Sequence, residues 1–198
     1  MSNKTKRRIL SLSILLIMIS ILSYGTYAYF TGYGIATNTI TTGYVDIEIV
    51  EYAENEEGEL EPFEDVFGVL PGMDISKIPC IRNVGAYTTW VRVRVVQDIK
   101  LNPKLGIEGE ADPSVVSYNF NTDYWTYVEE EDYWYYKDPV NAYDVTEPLF
   151  TLVTFDKDMG NLYQNSIVTV TIEAQATQHV HNGNNVFEAL GWKDIFEF

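Results

Sequence analysis

Residues Ile167–Thr177 read IVTVTIEAQAT, and their spacing decides the fold class. Val168, Val170, Ile172, Ala174 and Ala176 alternate with Thr169, Thr171, Glu173 and Gln175. A period of two puts one set on an apolar face and the other on a polar face, as in a half-buried strand. The same period returns in WVRVRVV (Trp90–Val96), where Val91, Val93 and Val95 alternate with Arg92 and Arg94. It returns again in VDIEIVEY (Val45–Tyr52), where Val45, Ile47 and Ile49 alternate with Asp46 and Glu48. Each predicts a strand with one dry and one wet face. EPLFTLVTF (Glu147–Phe155) is apolar on both sides and reads as a central strand covered twice.

Turn chemistry separates these runs. LPGMD (Leu70–Asp74) and RNVGAY (Arg82–Tyr87) are Gly/Pro/Asn loops. YWTYVEEEDYWYYK predicts a hairpin, with strands over Tyr124–Val128 and Tyr133–Lys137 around an acidic turn. The acidic stretch EYAENEEGELEPFEDVF is a solvated loop or hairpin tip. Helical spacing occurs near the end, where Asn185 caps a short helix with Val186, Ala189 and Leu190 on one side. Many short strands with little helix predict an all-β protein, a jelly-roll-like antiparallel β-sandwich with a few short helices.

The amino end is of another kind. Lys4, Lys6, Arg7 and Arg8 precede a fourteen-residue run, Ile9–Leu22, broken only by Ser11, Ser13 and Ser20. A basic flank, a short apolar core and a small-residue exit describe a secretory signal peptide over 1–29. Thr26-Tyr27-Ala28 offers small residues at both positions a signal peptidase reads, so cleavage is expected after Ala28 or Tyr29, with Phe30 at the start of the mature domain. A retained anchor needs about 20 apolar residues and is the alternative. Cleavage leaves residues 30–198 as a single β-sandwich domain, with nine basic against 29 acidic residues, a formal charge of −20. Such a charge argues against nucleic acid and anionic membrane surfaces as partners. Cys80 is the only cysteine, so no internal disulfide forms. It reads as a small buried hydrophobe.

Catalytic patterns are scarce. No HExxH, GxSxG, phosphate-binding loop or CxxC pair occurs. His179 and His181, at i and i+2 on a strand end, are weak metal candidates without a third ligand nearby. Asp156–Asn161 is too short for an EF-hand loop. The expectation is a protein without catalytic residues or cofactor.

Four stretches, in order, resemble the TasA/camelysin family of Gram-positive bacteria. They are GTYAYFT followed by ATNTITTGYVDIEI, LPGMDISKIPCIRNVGAYTTWVRVRV, DYWYYKDPVNAYDVTEPLFTLVTFD, and VTVTIEAQATQ with NVFEALGW. In the second, Pro71, Gly72, Asp74, Lys77, Asn83, Gly85 and Val91-Arg92-Val93 hold the family's places, with Met73 inserted between Gly and Asp.

The resemblance implies a secreted, cell-surface or matrix protein released by a dedicated signal peptidase. TasA-like members are biofilm matrix fibre subunits that polymerise head to tail by donor-strand exchange, with an accessory nucleating protein as a further partner. The donor here is 30–44, with Phe30, Tyr33, Ile35, Ile40 and Tyr44 as its large apolar residues. Camelysin-like members are described as surface metalloproteases, an alternative for which this chain offers only His179 and His181. A third reading is a monomeric adhesin presenting Trp125, Tyr127, Trp134 and Tyr136.

Overall fold

A computed structural model describes residues 3–30, 44–105 and 109–192, in two compact units that divide between Thr41 and Thr42. In the first unit, helix α1 (Asn3–Phe30) carries the basic flank and the apolar run. Its three serines do not break it. Ser11, Ser13 and Ser20 donate their hydroxyls to the carbonyls of Arg7, Ile9 and Leu16, one turn back, which satisfies them within the helix itself. Among the described residues, no helix is long and apolar enough to cross a membrane.

The second unit is built from antiparallel strands: β1 (Ile47–Glu54), β2 (Leu60–Pro62), β3 (Asp74–Ser76), β4 (Ile78–Asn83), β5 (Thr89–Lys100), β6 (Val116–Tyr118), β7 (Trp125–Val128), β8 (Tyr133–Tyr136), β9 (Leu152–Phe155) and β10 (Ile167–Gln178). They form three sheets, ordered β2-β1-β4, β10-β5-β8-β7 and β3-β9-β6. The register of the long pair runs unbroken from Ile167 opposite Lys100 to Gln178 opposite Thr89.

One apolar core joins all three sheets. Val91 and Val93 of β5, Trp125 of β7, Tyr136 of β8 and Ile172 of β10 meet Ile81 of β4, Val116 of β6 and Val153 of β9. Two layers closing on one core make a β-sandwich. Among the described residues, the apolar cores of this unit lie within residues 44–192.

Several expected strands stand where the period placed them, with changes at their ends. The hairpin forms with Trp125 opposite Tyr136 and Tyr127 opposite Trp134. The acidic stretch is a hairpin tip, closed by Asn55, whose side chain accepts from the Glu57 and Glu59 amides. The Glu147–Phe155 stretch is strand only over Leu152–Phe155, central between β3 and β6. Leu149 and Phe150 are core residues in irregular chain, with Leu149 bonded to the Pro79 carbonyl.

Two expectations are corrected. The wet face of β5 is dry at Arg92, which is buried because the segment 186–192 lies over it, and becomes exposed further along at Val96, Asp98 and Lys100. The expected helix near the carboxyl end is a single 3-10 turn, Val186–Glu188. Asn185 does cap it, accepting from the Phe187 and Glu188 amides. Val186 and Ala189 are buried, whereas Leu190 is 75% exposed. A turn of three residues per repeat does not bring 186 and 190 to one side.

Candidate functional site

The feature of this domain most open to a partner is the far side of β10. A strand inside a sheet has its amides and carbonyls paired on both sides; one at an edge presents a row unpaired. β10 is terminal in its sheet. Among the described residues, no other strand pairs with it besides β5, and the first backbone bond beyond the strand is from the His179 amide to Thr88. The usual protections of an edge are charge, proline, a bulge or shortness. β10 has one charged residue, Glu173, and that carboxylate is held by Arg94 within the sheet at 2.5 Å.

The inward face of β10 is incompletely covered. Val168, Val170, Ala174 and Ala176 pack on the core but are only partly buried, while Val91 and Val93 beside them on β5 are fully buried. β1 runs alongside β10 without joining its sheet. β1 itself pairs with β2 only over Tyr52–Glu54, so Ile47–Val50 have β4 on one side. Ile47 is partly buried against the same core. The strip where β1 runs beside β10, bordered by the partly buried Ile47, Val168, Val170, Ala174 and Ala176, is the β1–β10 slot.

One end of the slot, the pole from which β1 departs, is fixed by a turn. The Val84 and Gly85 amides donate to the Asp46 carbonyl, each at 3.0 Å, and the Ala86 amide to the Tyr44 carbonyl at 3.4 Å. Asn83, wholly buried, shapes the turn. Its side-chain nitrogen donates to the carbonyls of Tyr87 and Val140 at 2.8 and 3.0 Å, and its oxygen accepts from Gly85 at 2.9 Å. Gly85 is required by contact: a Cβ there would meet the Asp46 nitrogen at 2.8 Å and the Tyr44 oxygen at 2.9 Å. Sequence reasoning placed Asn83 and Gly85 in a loop. Only the structure shows that the loop holds the start of the domain.

Arg92 was also missed. On the outer face of the long sheet its guanidinium lies 4.1 Å from the Tyr133 ring and 4.8 Å from Trp192. It donates from Nε to Gln175 at 3.0 Å, and from a terminal nitrogen to Glu131 and the Tyr135 hydroxyl, each at 2.9 Å. Burial and the Glu131 hydrogen bond raise the Tyr135 phenol, in that order. The signal available was the aromatic pair Tyr133 and Tyr135 at the spacing that faces Arg92 across the register.

The remaining candidates fall as follows. Ala28, Tyr29 and Phe30 end α1. Tyr33, Ile35 and Ile40 lie outside the described residues, and Tyr44 is 60% exposed at the pole. His179 follows the end of β10 and meets Trp90 edge-on at 4.6 Å. His181 sits in a left-handed turn at φ 59, not on a strand face. Among the described residues, no three His, Cys, Asp or Glu side chains gather to hold a metal. Of the aromatic hairpin, Trp125 and Tyr136 are core and Trp134 stacks on Phe120 at 4.1 Å. Cys80 is buried, and burial first, then Glu147, pushes its thiol up to about 11.

The fold therefore defines an antiparallel β-sandwich in which, among the described residues, the twelve-residue β10 stands at the edge of its sheet. Comparison with family models, curated proteins and solved structures found no match to this chain.

Proposed function

We propose that this protein is a secreted structural subunit that polymerises head to tail into extracellular fibres, by adding residues 30–44 of one copy to the slot of the next. The single observation that carries this reading is the nearly uncharged β10, terminal in its sheet among the described residues, with a partly buried apolar face beside the core. Strand addition needs a sheet edge for main-chain bonds and apolar contacts for alternate side chains; β10 is terminal in its sheet and carries the partly buried Val168, Val170, Ala174 and Ala176. The occupant is suggested by composition. FTGYGIATNTITTGY has no charged residue and is rich in Thr, with single large apolar residues between Gly and Thr. It has strand propensity but too little apolar area to bury by itself.

A donor from one copy entering the slot of the next is a heterologous contact that does not close, so it produces filaments. The finer fold assignment, a jelly roll, belongs with this reading, as does export: removal of 1–29 by a signal peptidase would release the donor. The formal −20 charge would keep filaments from adhering sideways, an effect that salt screens. The expected setting is the matrix or surface of a Gram-positive bacterium, with a nucleating protein as an accessory partner.

Hydrogen exchange tests it. A synthetic peptide of residues 30–44 is added to a domain beginning at Tyr44. Slowed exchange of amides within 167–178 is the expected result. Unchanged exchange there at saturating peptide would remove the basis of the reading.

A further inference from the structure

We propose that the pole around the Asn83–Ala86 turn is a contact surface between subunits, whose partner is a second copy of this chain. The inference rests on the strand-exchange reading and adds a second contact to it.

The first ground is where the donor is tethered. Three main-chain bonds from residues 84–86 hold Tyr44 and Asp46, and Gly85 lies so close to that backbone that a Cβ would collide with it. Of the 30–44 segment, Tyr44 therefore stays with its own domain, and the part free to reach a neighbour ends at Gly43.

The second ground is length. Residues 30 to 43 number fourteen, a reach of about 46–50 Å when fully extended. The β10 edge is twelve residues long, about 40 Å. A donor paired along all of β10 leaves about two residues, or roughly 7 Å, to cross between subunits. With so short a crossing, the pole of the donor subunit must abut its neighbour beside the far end of the slot.

The third ground is the surface itself. Three tyrosines surround the turn and are exposed: Tyr44 by 60%, Tyr87 by 50% and Tyr143 by 74%. Tyr87 accepts from the Asn83 side chain, and the Tyr143 amide donates to the Asn83 carbonyl at 2.9 Å. Tyr143 is held at φ 70, a conformation a bulky residue seldom adopts, and it turns outward. Val145, 43% exposed, lies beside them. Rigid rings with a polar tip suit a contact that is partly wet and low in ordering cost.

The test compares filament formation by chains beginning at Phe30: the unaltered sequence, Tyr143→Ser, and Tyr87→Ser with Tyr143→Ser. Both side chains are exposed, so the domain should fold in each. We expect the double variant to raise the critical concentration for filaments about tenfold or more, with the single variant between. Binding of the 30–44 peptide to the domain beginning at Tyr44 should be the same with or without these changes. A companion chain with about ten Gly/Ser residues inserted between Gly43 and Tyr44 should give filaments with wider subunit spacing and freer bending in electron micrographs. An unchanged critical concentration in the double variant, with peptide binding intact, would overturn this surface and leave strand exchange standing. Failure of the peptide to bind would overturn strand exchange, and this surface with it.

Discussion

Gly85 and Asp46 are packed backbone to backbone: a Cβ on the glycine would stand 2.8 Å from the Asp46 nitrogen. The contact joins a turn to the first residues of the domain, and no side chain is needed to make it. Gly85→Ala should therefore separate the two strands of chain without touching the core. We expect a loss of about 1–3 kcal/mol in urea unfolding, with protease cleavage advancing from the donor into residues 44–46. A variant as stable and as resistant as the unaltered domain would show that the turn does not hold this segment.

Among the described residues, Arg92 is one of two buried cations of the domain, with Lys77. Arg92→Ala removes the cation between Tyr133 and Trp192 and one hydrogen bond each from Gln175 and Tyr135. A cost of about 3–5 kcal/mol is expected, since breaking a buried ionic network exceeds its net worth. Glu131 is half exposed, so Glu131→Gln should cost less than about 1 kcal/mol. Equal losses from the two substitutions, measured by urea unfolding, would contradict this description of the cage.

Cys80 gives a pH signature. Its folded thiol is raised from 9.0 to about 11, so folding favours the protonated form. The sign follows: this contribution is complete below pH 9 and is lost as pH rises toward 11. Native protein at pH 8 should resist iodoacetamide, and unfolded protein should react at once. Rapid labelling of the folded domain at pH 8 would place the thiol at the surface.

Much of the sandwich was legible in the sequence because a strand writes its burial in alternate residues. Val91, Val93 and Ile172 are core as their period requires. The same rule failed at Arg92, where the polar face is covered by a segment ninety residues or more away in the chain. No local period encodes that cover. The strands β2, β3 and β6 have three residues each, too few to show a period at all. Leu190 was misplaced because a 3-10 turn and an α-helix share their capping residue but not their repeat. The slot was legible only in part: β10 was plain, but that it ends its sheet is a matter of topology. The clasp at Gly85 was unreadable, since a close approach of two backbones leaves only a glycine as its trace.

The open edge predicts its own sabotage. Thr169 and Thr171 are exposed residues of β10, and Thr169→Lys with Thr171→Lys places charge where an added strand would lie. Lysine on an edge opposes pairing at little cost to the fold. We expect filaments to disappear while the melting temperature falls by no more than a few degrees. Because the chain is strongly acidic, two added cations should otherwise ease association. Filaments formed as before would exclude the β10 edge as acceptor.

The most direct measurement of self-assembly through the amino-terminal segment is negative-stain electron microscopy of two purified chains, one beginning at Phe30 and one at Tyr44. Filaments from the first and folded monomers from the second are the predicted result. Monomers from both, across pH and salt, or filaments from both, would contradict it.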